Sequence, residues 1–295
     1  MNDFRIPFGD WISSFVDILI KDFSPVFTFI ASIFTAIYDA VEFVLLSPPF
    51  WVVIVIAALL ALSIKGWKFA VAAAVGLLFI VGVNQWEHSM ESLALVLVAS
   101  AIALAISIPL GILAARSNKA SAIMRPVLDL MQTMPAFVYL VPALILFRVG
   151  VVPGIVATVI FAMAPGVRLT ELGIRGVDKE VVEAGHAFGS SPWRILRQIQ
   201  LPLAIPTIMA GVNQVIMLSL SMVVIAGIVG AGGLGGDVVQ ALSRIDVGLG
   251  AEAGIAVVII AIYLDRLSGA FSDRKRSRFS RLFSKRKKDE SVLAA

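Results

Sequence analysis

The sequence is dominated by long runs of apolar residues that contain no charged side chain. They lie at residues 43–64, 69–86, 92–115, 130–147, 149–167 and 198–236. A helix needs about 20 mostly apolar residues to cross the hydrocarbon core of a bilayer. Its peptide groups must be hydrogen-bonded within the chain, because that core holds no water. The runs do not alternate apolar with polar residues, as the strands of a membrane barrel do. They therefore predict an all-α polytopic membrane protein.

Composition supports this fold class and argues against metal and nucleotide sites in the chain. Only 15% of the residues are charged, against about 25% in soluble proteins. There is no cysteine, and His88 and His186 are far apart in the sequence, so no thiolate or histidine metal site is predicted. The phosphate-binding pattern G-x-x-x-x-G-K-[ST] is absent. We predict no catalytic residue, no metal, and no cofactor bound by this chain.

Seven spans are predicted, and the basic residues orient them. The spans are 43–64, 69–84, 92–115, 131–147, 150–167, 206–229 and 247–264. Cytoplasmic connections of membrane proteins are enriched in Lys and Arg. With a cytoplasmic C-terminus, 20 of the 24 Lys and Arg residues lie on that side. The sequence thus predicts an outside N-terminus, a membrane domain at 46–265 and a basic cytoplasmic tail at 266–295. This topology explains the net charge of +4 better than nucleic-acid binding does.

The stretch 23–42 has the pattern of an amphipathic helix. Its polar residues, Ser24, Thr28, Ser32, Thr35, Asp39 and Glu42, recur every three or four positions. Such a helix is typical of the membrane interface rather than of a span. We predict that residues 1–45 form an outer segment whose helix lies on the outer leaflet. An eighth span is the alternative, and it would bury Asp39 and Glu42.

Glycines are concentrated just after the sixth predicted span. Gly230, Gly232 and Gly235 fit the dinucleotide-binding pattern G-x-G-x-x-G, which must follow a strand and open a helix. Here the pattern follows a predicted membrane span. We interpret Gly230, Gly232, Gly233 and Gly235 as a flexible outer turn or hinge, since glycine adopts backbone conformations closed to other residues.

The predicted cytoplasmic loop 168–205 carries signals for a helix–turn–helix. A helix-favouring stretch at 178–188 precedes Gly189, which fits the left-handed residue that ends many helices. Ser191 is a candidate cap and Pro192 a first helical residue for a second helix at 192–200. That helix is amphipathic, with apolar residues that it cannot bury alone. The loop is either a docking surface for another protein or packed on the chain's own spans.

The same loop resembles the permeases of ATP-binding cassette (ABC) importers. Their pattern E-A-A-x3-G-x9-I-x-L-P is matched by Glu183, Ala184, Gly185, Gly189, Ile199, Leu201 and Pro202, with Gly185 in place of the second alanine. The resemblance implies a type I ABC importer permease fold with about seven transmembrane helices plus the N-terminal amphipathic helix. It also implies that the loop couples this chain to a separate ATPase subunit.

Residues 129–142 narrow the resemblance to permeases for glycine betaine, proline betaine and choline. The resemblance implies a prokaryotic plasma (inner) membrane location and a second copy of the permease. It also implies two ATPase subunits that hold ATP and Mg, and an external substrate-binding protein. A methionine permease is one alternative. A stand-alone secondary transporter or channel is another. Such a transporter needs ionisable residues within its spans to couple ions, and Glu252 is the one clear residue of this kind.

Candidate pathway residues lie in the fourth predicted span. Gln132 and Thr133 are expected to face the bundle interior, as polar groups in spans usually do. Phe137 and Tyr139 are candidates for cation–π contacts with a quaternary ammonium, or else for packing. The tail from Arg274 to Lys288 is expected to contact membrane lipid or simply to anchor the topology.

Overall fold

The computed structural model describes residues 7–293, with side chains for residue 7, residues 9–14 and residues 16–270. Within that range all regular structure is helical, in twelve α-helices and one π-helical turn. The helices are α1 (Phe8–Leu46), α2 (Phe50–Lys65), α3 (Trp67–Gly82), α4 (Trp86–Arg116), α5 (Asn118–Thr133), α6 (Ala136–Phe147), α7 (Val151–Arg175), α8 (Lys179–Ala187), α9 (Pro192–Ile195), α10 (Leu201–Ile228), α11 (Gly233–Arg244) and α12 (Val247–Leu293). The π-helical turn Leu196–Gln200 joins α9 to α10.

Helices α4, α7 and α10 form the centre of the bundle and approach each other closely through small residues. A Cβ atom at Gly111 of α4 would lie 2.5 Å from Cβ of Thr170 in α7. A Cβ atom at Gly211 of α10 would lie 3.0 Å from Cβ of Leu169. Small residues stabilise helix pairs in a bilayer because they let the backbones approach. This packing fixes α7 and α10, the two helices that the predicted helix–turn–helix connects.

Every predicted span corresponds to helical structure, but the start of the first span and the shape of the fourth were wrong. The first span begins at Phe50 and not at residue 43, because Ser47, Pro48 and Pro49 interrupt the helix. The fourth is not one straight helix. Met134 is extended, as a residue before proline tends to be, and α5 and α6 meet at an angle of 97°.

Length and apolar character show which helices are able to cross a membrane. Among the described residues, five helical stretches are long and apolar enough to cross a bilayer, or six if the bent α5–α6 pair counts as one span. The helices α2 and α3 are apolar but only 16 residues long. The fold is therefore that of a multi-pass helical membrane protein.

We call the end of the bundle with residues 176–200 the loop end, and the opposite end, with residues 84–92, 147–151 and 229–246, the far end.

Helix α1 begins at Phe8, well before residue 23, and has 39 residues. By length and composition it is able to cross a membrane. Two of its contacts are at the far end, where Phe27 packs edge-on against Phe147, with 5.6 Å between ring centroids, and Tyr38 lies within electrostatic reach of Glu91. Phe27 and Tyr38 are about three turns apart, so these contacts favour a course across the far end. The interfacial placement of 23–42 stays a prediction.

The loop between α7 and α10 is shorter than the predicted range 168–205. Helix α7 continues to Arg175, and the helical stretch that runs without a break into α10 begins at Pro192. Pro206 lies inside α10 rather than at its start. Residues 176–191, which include α8, therefore form the connection itself.

Candidate functional site: the helix–turn–helix at the loop end

Local hydrogen bonds build the predicted helix–turn–helix. The Asp178 side chain accepts a bond from the Glu180 amide at 3.0 Å and caps α8. At the other end of α8, Gly189 has a φ of +72°, and the Ser190 amide donates to the Gly185 carbonyl at 3.1 Å. The Ser191 hydroxyl accepts from the Arg194 amide at 3.4 Å. The predicted roles of Gly189, Ser191 and Pro192 in this turn are confirmed.

Some residues of the matched pattern hold α8 against the following helix. Gly185 is buried, and a Cβ atom there would lie 2.9 Å from Cδ1 of Ile199. Leu201 and Pro202 begin α10 and are half-buried. The close approach of α8 explains why a small residue stands at position 185, since added atoms in a packed core force neighbours to shift.

The remaining residues of the pattern face outward. Glu183 and Ala184 are exposed on α8. Beside them, Phe188 is 90% exposed and Trp193 is 57% exposed. The Arg116 guanidinium lies 5.7 Å from the centre of the Trp193 ring, within cation–π range. Large apolar side chains exposed together on a loop are typical of a protein interaction surface.

The loop is also anchored to the bundle. Leu196 is buried with Ile174 of α7 and Ala204 of α10. The inner side of the loop thus packs on the chain's own helices. Phe188 and Trp193 remain exposed, and docking of another protein on them stays a prediction. A force on the exposed side would therefore act on α7 and α10 directly.

An ionic network next to this loop was not predicted. Buried Glu171 of α7 pairs with Arg175 at 2.9 Å and accepts a hydrogen bond from Ser121 of α5 at 2.7 Å. Arg175 also donates to the Ala114 carbonyl at 2.7 Å. Two ion pairs join α7 to α5, Glu171 with Arg125 at 3.7 Å and Arg168 with Asp129. The spacing of Glu171 and Arg175, four residues apart, was a usable sequence signal, but their partners on α4 and α5 are distant in sequence.

The predicted pathway residues gather at the break between α5 and α6. Gln132 and Thr133 are exposed at the end of α5, and Phe137 is 53% exposed on α6. Tyr139 instead turns toward α5 and donates to the Met131 carbonyl at 2.6 Å. Tyr139 thus ties the two helices together, while Gln132, Thr133 and Phe137 form an open surface.

The glycine-rich segment forms a tight turn followed by a helix that was not predicted. Gly230, Gly232 and Gly233 have positive φ angles, which confirms the turn. Gly235 lies inside α11, where a Cβ atom would overlap the Val223 carbonyl of α10. No strand precedes it in the described part of the chain, so the context of a dinucleotide site is lacking. The hinge role stays a prediction.

Helix α11 is held to α4 at the far end. The Gly233 amide donates to the Glu91 carboxylate at 2.8 Å, and the Leu234 amide donates to the Ser92 hydroxyl at 2.9 Å. A hydrogen bond of 2.5 Å joins Nδ1 of His88 in α4 to Oδ2 of Asp237 in α11. A carboxylate at a helix N-terminus is stabilising because it offsets the helix dipole. Across the described residues, no group of three or more His, Asp or Glu is arranged to hold a metal ion.

A multi-pass bundle with an exposed helix–turn–helix at one end is the architecture expected for a transporter subunit of the permease class. Residues 107–277 match the family described as the binding-protein-dependent transport system inner membrane component. The chain belongs to this family and is a permease subunit of an ABC importer in the inner membrane.

Curated relatives match almost the whole chain. It is 49% identical to the glycine betaine/carnitine transport permease protein GbuB of Listeria monocytogenes, over 92% of this chain and 98% of the relative. It is 47% identical to the glycine betaine/proline betaine permease protein ProW of Escherichia coli, over 94% of this chain and 78% of the relative.

A solved structure supports the type I permease fold. The chain resembles the inward-facing MetNI methionine ABC transporter with a TM-score of 0.60, over 65% of this chain and 95% of that chain. The sequence identity is 20%, so this likeness concerns the fold alone.

Proposed function

We propose that this chain is the permease of an importer for small methylated ammonium compounds of the glycine betaine type. The observation that carries the proposal is the near-full-length identity to GbuB and ProW. A further relative, at 37% identity over 79% of this chain but only 35% of its own length, is named for trimethylamine N-oxide. The compounds in these names share a methylated nitrogen with a positive charge. Methionine, the alternative, is supported only by a likeness of fold.

The proposed coupling element is the helix–turn–helix at the loop end. In it, Gly185, Gly189, Ile199, Leu201 and Pro202 shape and support the turn, and Glu183 and Ala184 face the ATPase. The exposed rings of Phe188 and Trp193 supply the apolar contacts. Aromatic side chains that become fully desolvated are typical energetic centres of protein interfaces.

The assembly that follows from this proposal has several subunits. Two copies of the permease join two ATPase subunits at the loop end and an external binding protein at the far end. ATP and Mg bind to the ATPases, and this chain does not hydrolyse ATP. The N-terminus is outside and the C-terminus cytoplasmic, as the distribution of basic residues indicates.

The proposed translocation path lies where the α5–α6 breaks of two copies face each other. Gln132, Thr133 and Phe137 are exposed there in the single chain. A polar amide, a hydroxyl and an aromatic face suit a methylated cation that must pass without being held tightly. Tyr139 supports this surface through its bond to Met131.

Reconstituted transport tests the proposed function. Proteoliposomes with permease, ATPase and binding protein are expected to accumulate labelled glycine betaine when ATP is enclosed. Omitting any one component is expected to abolish uptake, and excess methionine is expected not to compete. Uptake without the ATPase would contradict the coupling, and competition by methionine would favour the other substrate class.

A further inference from the structure

Helices α3 and α12 leave an apolar groove between them, and none of the proposed coupling or pathway residues lines it. It encloses about 230 Å³. One wall is formed by the small residues Ala72, Ala73 and Gly76 of α3, and the other by Ile262 and Tyr263 of α12. The groove exists because consecutive small side chains on one face of α3 leave space that larger residues would fill.

The groove has rigid limits. At one end, a Cβ atom on Gly76 would lie 2.9 Å from Cγ2 of Ile259, so the two helices touch there. Toward the loop end, the Phe69 ring stacks on Tyr263, with 6.0 Å between centroids and 18° between ring planes. The Tyr263 hydroxyl donates to the Ala57 carbonyl of α2 at 3.1 Å. These contacts hold the aromatic walls in place.

Positive charge lies at the loop end of this groove. Arg266 lines it directly, Lys68 precedes Phe69 in α3, and Lys65 ends α2. No carboxylate is among the residues found to line it. The nearby Asp265 accepts a hydrogen bond from Asn213 of α10 at 3.4 Å. Trp67, between the two lysines, is 66% exposed, as expected of an aromatic residue at the membrane interface.

We propose that the groove binds one anionic phospholipid from the surrounding bilayer. An acyl chain lies along Ala72, Ala73 and Gly76, and the phosphate group contacts Arg266 and Lys68. The apolar walls exclude a freely soluble anion, and the basic end favours an anionic over a zwitterionic headgroup. Basic pockets between transmembrane helices are suited to anionic headgroups.

The test is lipid titration of the purified full-length chain, followed by native mass spectrometry. The probes are phosphatidylglycerol and phosphatidylcholine with identical acyl chains. Phosphatidylglycerol is expected to bind more tightly. Arg266→Gln and Lys68→Gln are each expected to weaken phosphatidylglycerol binding about fivefold, from about 1 kcal/mol per basic residue, and to leave phosphatidylcholine binding unchanged. Lys119→Gln, which removes an exposed basic residue of α5 at the same end, is the matched control.

A second variant tests the groove itself. Ala72→Phe fills the space and is expected to weaken the binding of both lipids, and Ala72→Leu serves the same purpose if the larger ring prevents folding. Equal affinity for the two lipids would overturn the proposal. So would an effect of Lys119→Gln as large as that of Arg266→Gln, because the attraction would then be diffuse. None of these measurements depends on transport.

Discussion

At Gly189 the backbone has a φ of +72°, and no atom lies within 4 Å of the position that a Cβ would occupy. Substitutions there therefore act through backbone conformation and not through steric contact. Gly189→Val is expected to strain or rearrange the turn at a cost of about 1–2 kcal/mol, because the left-handed region is closed to branched residues. Gly189→Asn is the matched control, because asparagine tolerates this conformation.

Co-purification with the ATPase is the measurement for this pair. We expect Gly189→Val to lose the ATPase while the permease still inserts in the membrane, and Gly189→Asn to retain it. Loss with both variants would indicate that glycine is required by the partner's surface rather than by the turn.

Phe188 presents a different residue-scale test, because its side chain is 90% exposed and supports nothing in the single chain. Phe188→Ala is expected to leave the thermal stability of the isolated permease unchanged. If the ring is buried in the complex, its loss is expected to weaken ATPase binding by about 2 kcal/mol or more, roughly 30-fold. Binding by surface plasmon resonance measures this, and Phe188→Leu is expected to restore most of the affinity. Unchanged affinity in Phe188→Ala would remove this ring from the interface.

At the scale of helices, α5 and α7 are joined by two ion pairs, Arg125 with Glu171 at 3.7 Å and Asp129 with Arg168, and the two carboxylates differ in burial. The Glu171 side chain is 10% exposed and bonded to Arg175 and Ser121, whereas the Asp129 side chain is 63% exposed in its pair with Arg168. Hydrogen bonds to a charged group contribute about 1.5–3 kcal/mol, and exposed ion pairs about 0–1 kcal/mol. Glu171→Gln is therefore expected to lower the melting temperature clearly, and Asp129→Asn to change it little.

Thermal unfolding of the two detergent-purified variants checks this contrast. The two variants are expected to differ in function in the same order, because α7 leads into the proposed coupling loop and α5 leads into the proposed pathway. A larger loss of stability in Asp129→Asn than in Glu171→Gln would show that burial does not decide the strength of this helix contact.

The helices also show which features the sequence made predictable. The turn at Gly189 and the cap at Ser191 depend on neighbouring residues, and both were predicted. The break between α5 and α6 also has a local cause, because Pro135 keeps Met134 out of the helical conformation. It was missed because hydropathy is continuous from 131 to 147 and does not show this effect. Helix α11 was missed because its start is held by Glu91 and Ser92, which are distant in the sequence. The ionic network around Glu171 was missed for the same reason.

For the whole molecule, the course of α1 decides whether the chain has an additional span. Its length and composition suit a span, but Phe27 contacts the far end through Phe147, and Tyr38 lies near Glu91 there. A helix that crosses the bilayer cannot easily keep two points about three turns apart at one end of the bundle. The amphipathic pattern at 23–42 leads to the same expectation, that α1 lies along the outer interface.

Because the chain has no cysteine, single introduced cysteines report the side of the membrane directly. Ser13 is exposed near the start of α1, Ser243 is exposed at the far end, and Ala187 is exposed at the loop end. In intact cells, an impermeant thiol reagent is expected to label Ser13→Cys and Ser243→Cys but not Ala187→Cys, which should react only after lysis. Labelling of Ser13→Cys only after lysis, with Ser243→Cys labelled in intact cells, would show that α1 is an eighth span. Labelling of Ala187→Cys in intact cells would reverse the orientation and place the helix–turn–helix on the side without ATP, where it could not couple to an ATPase.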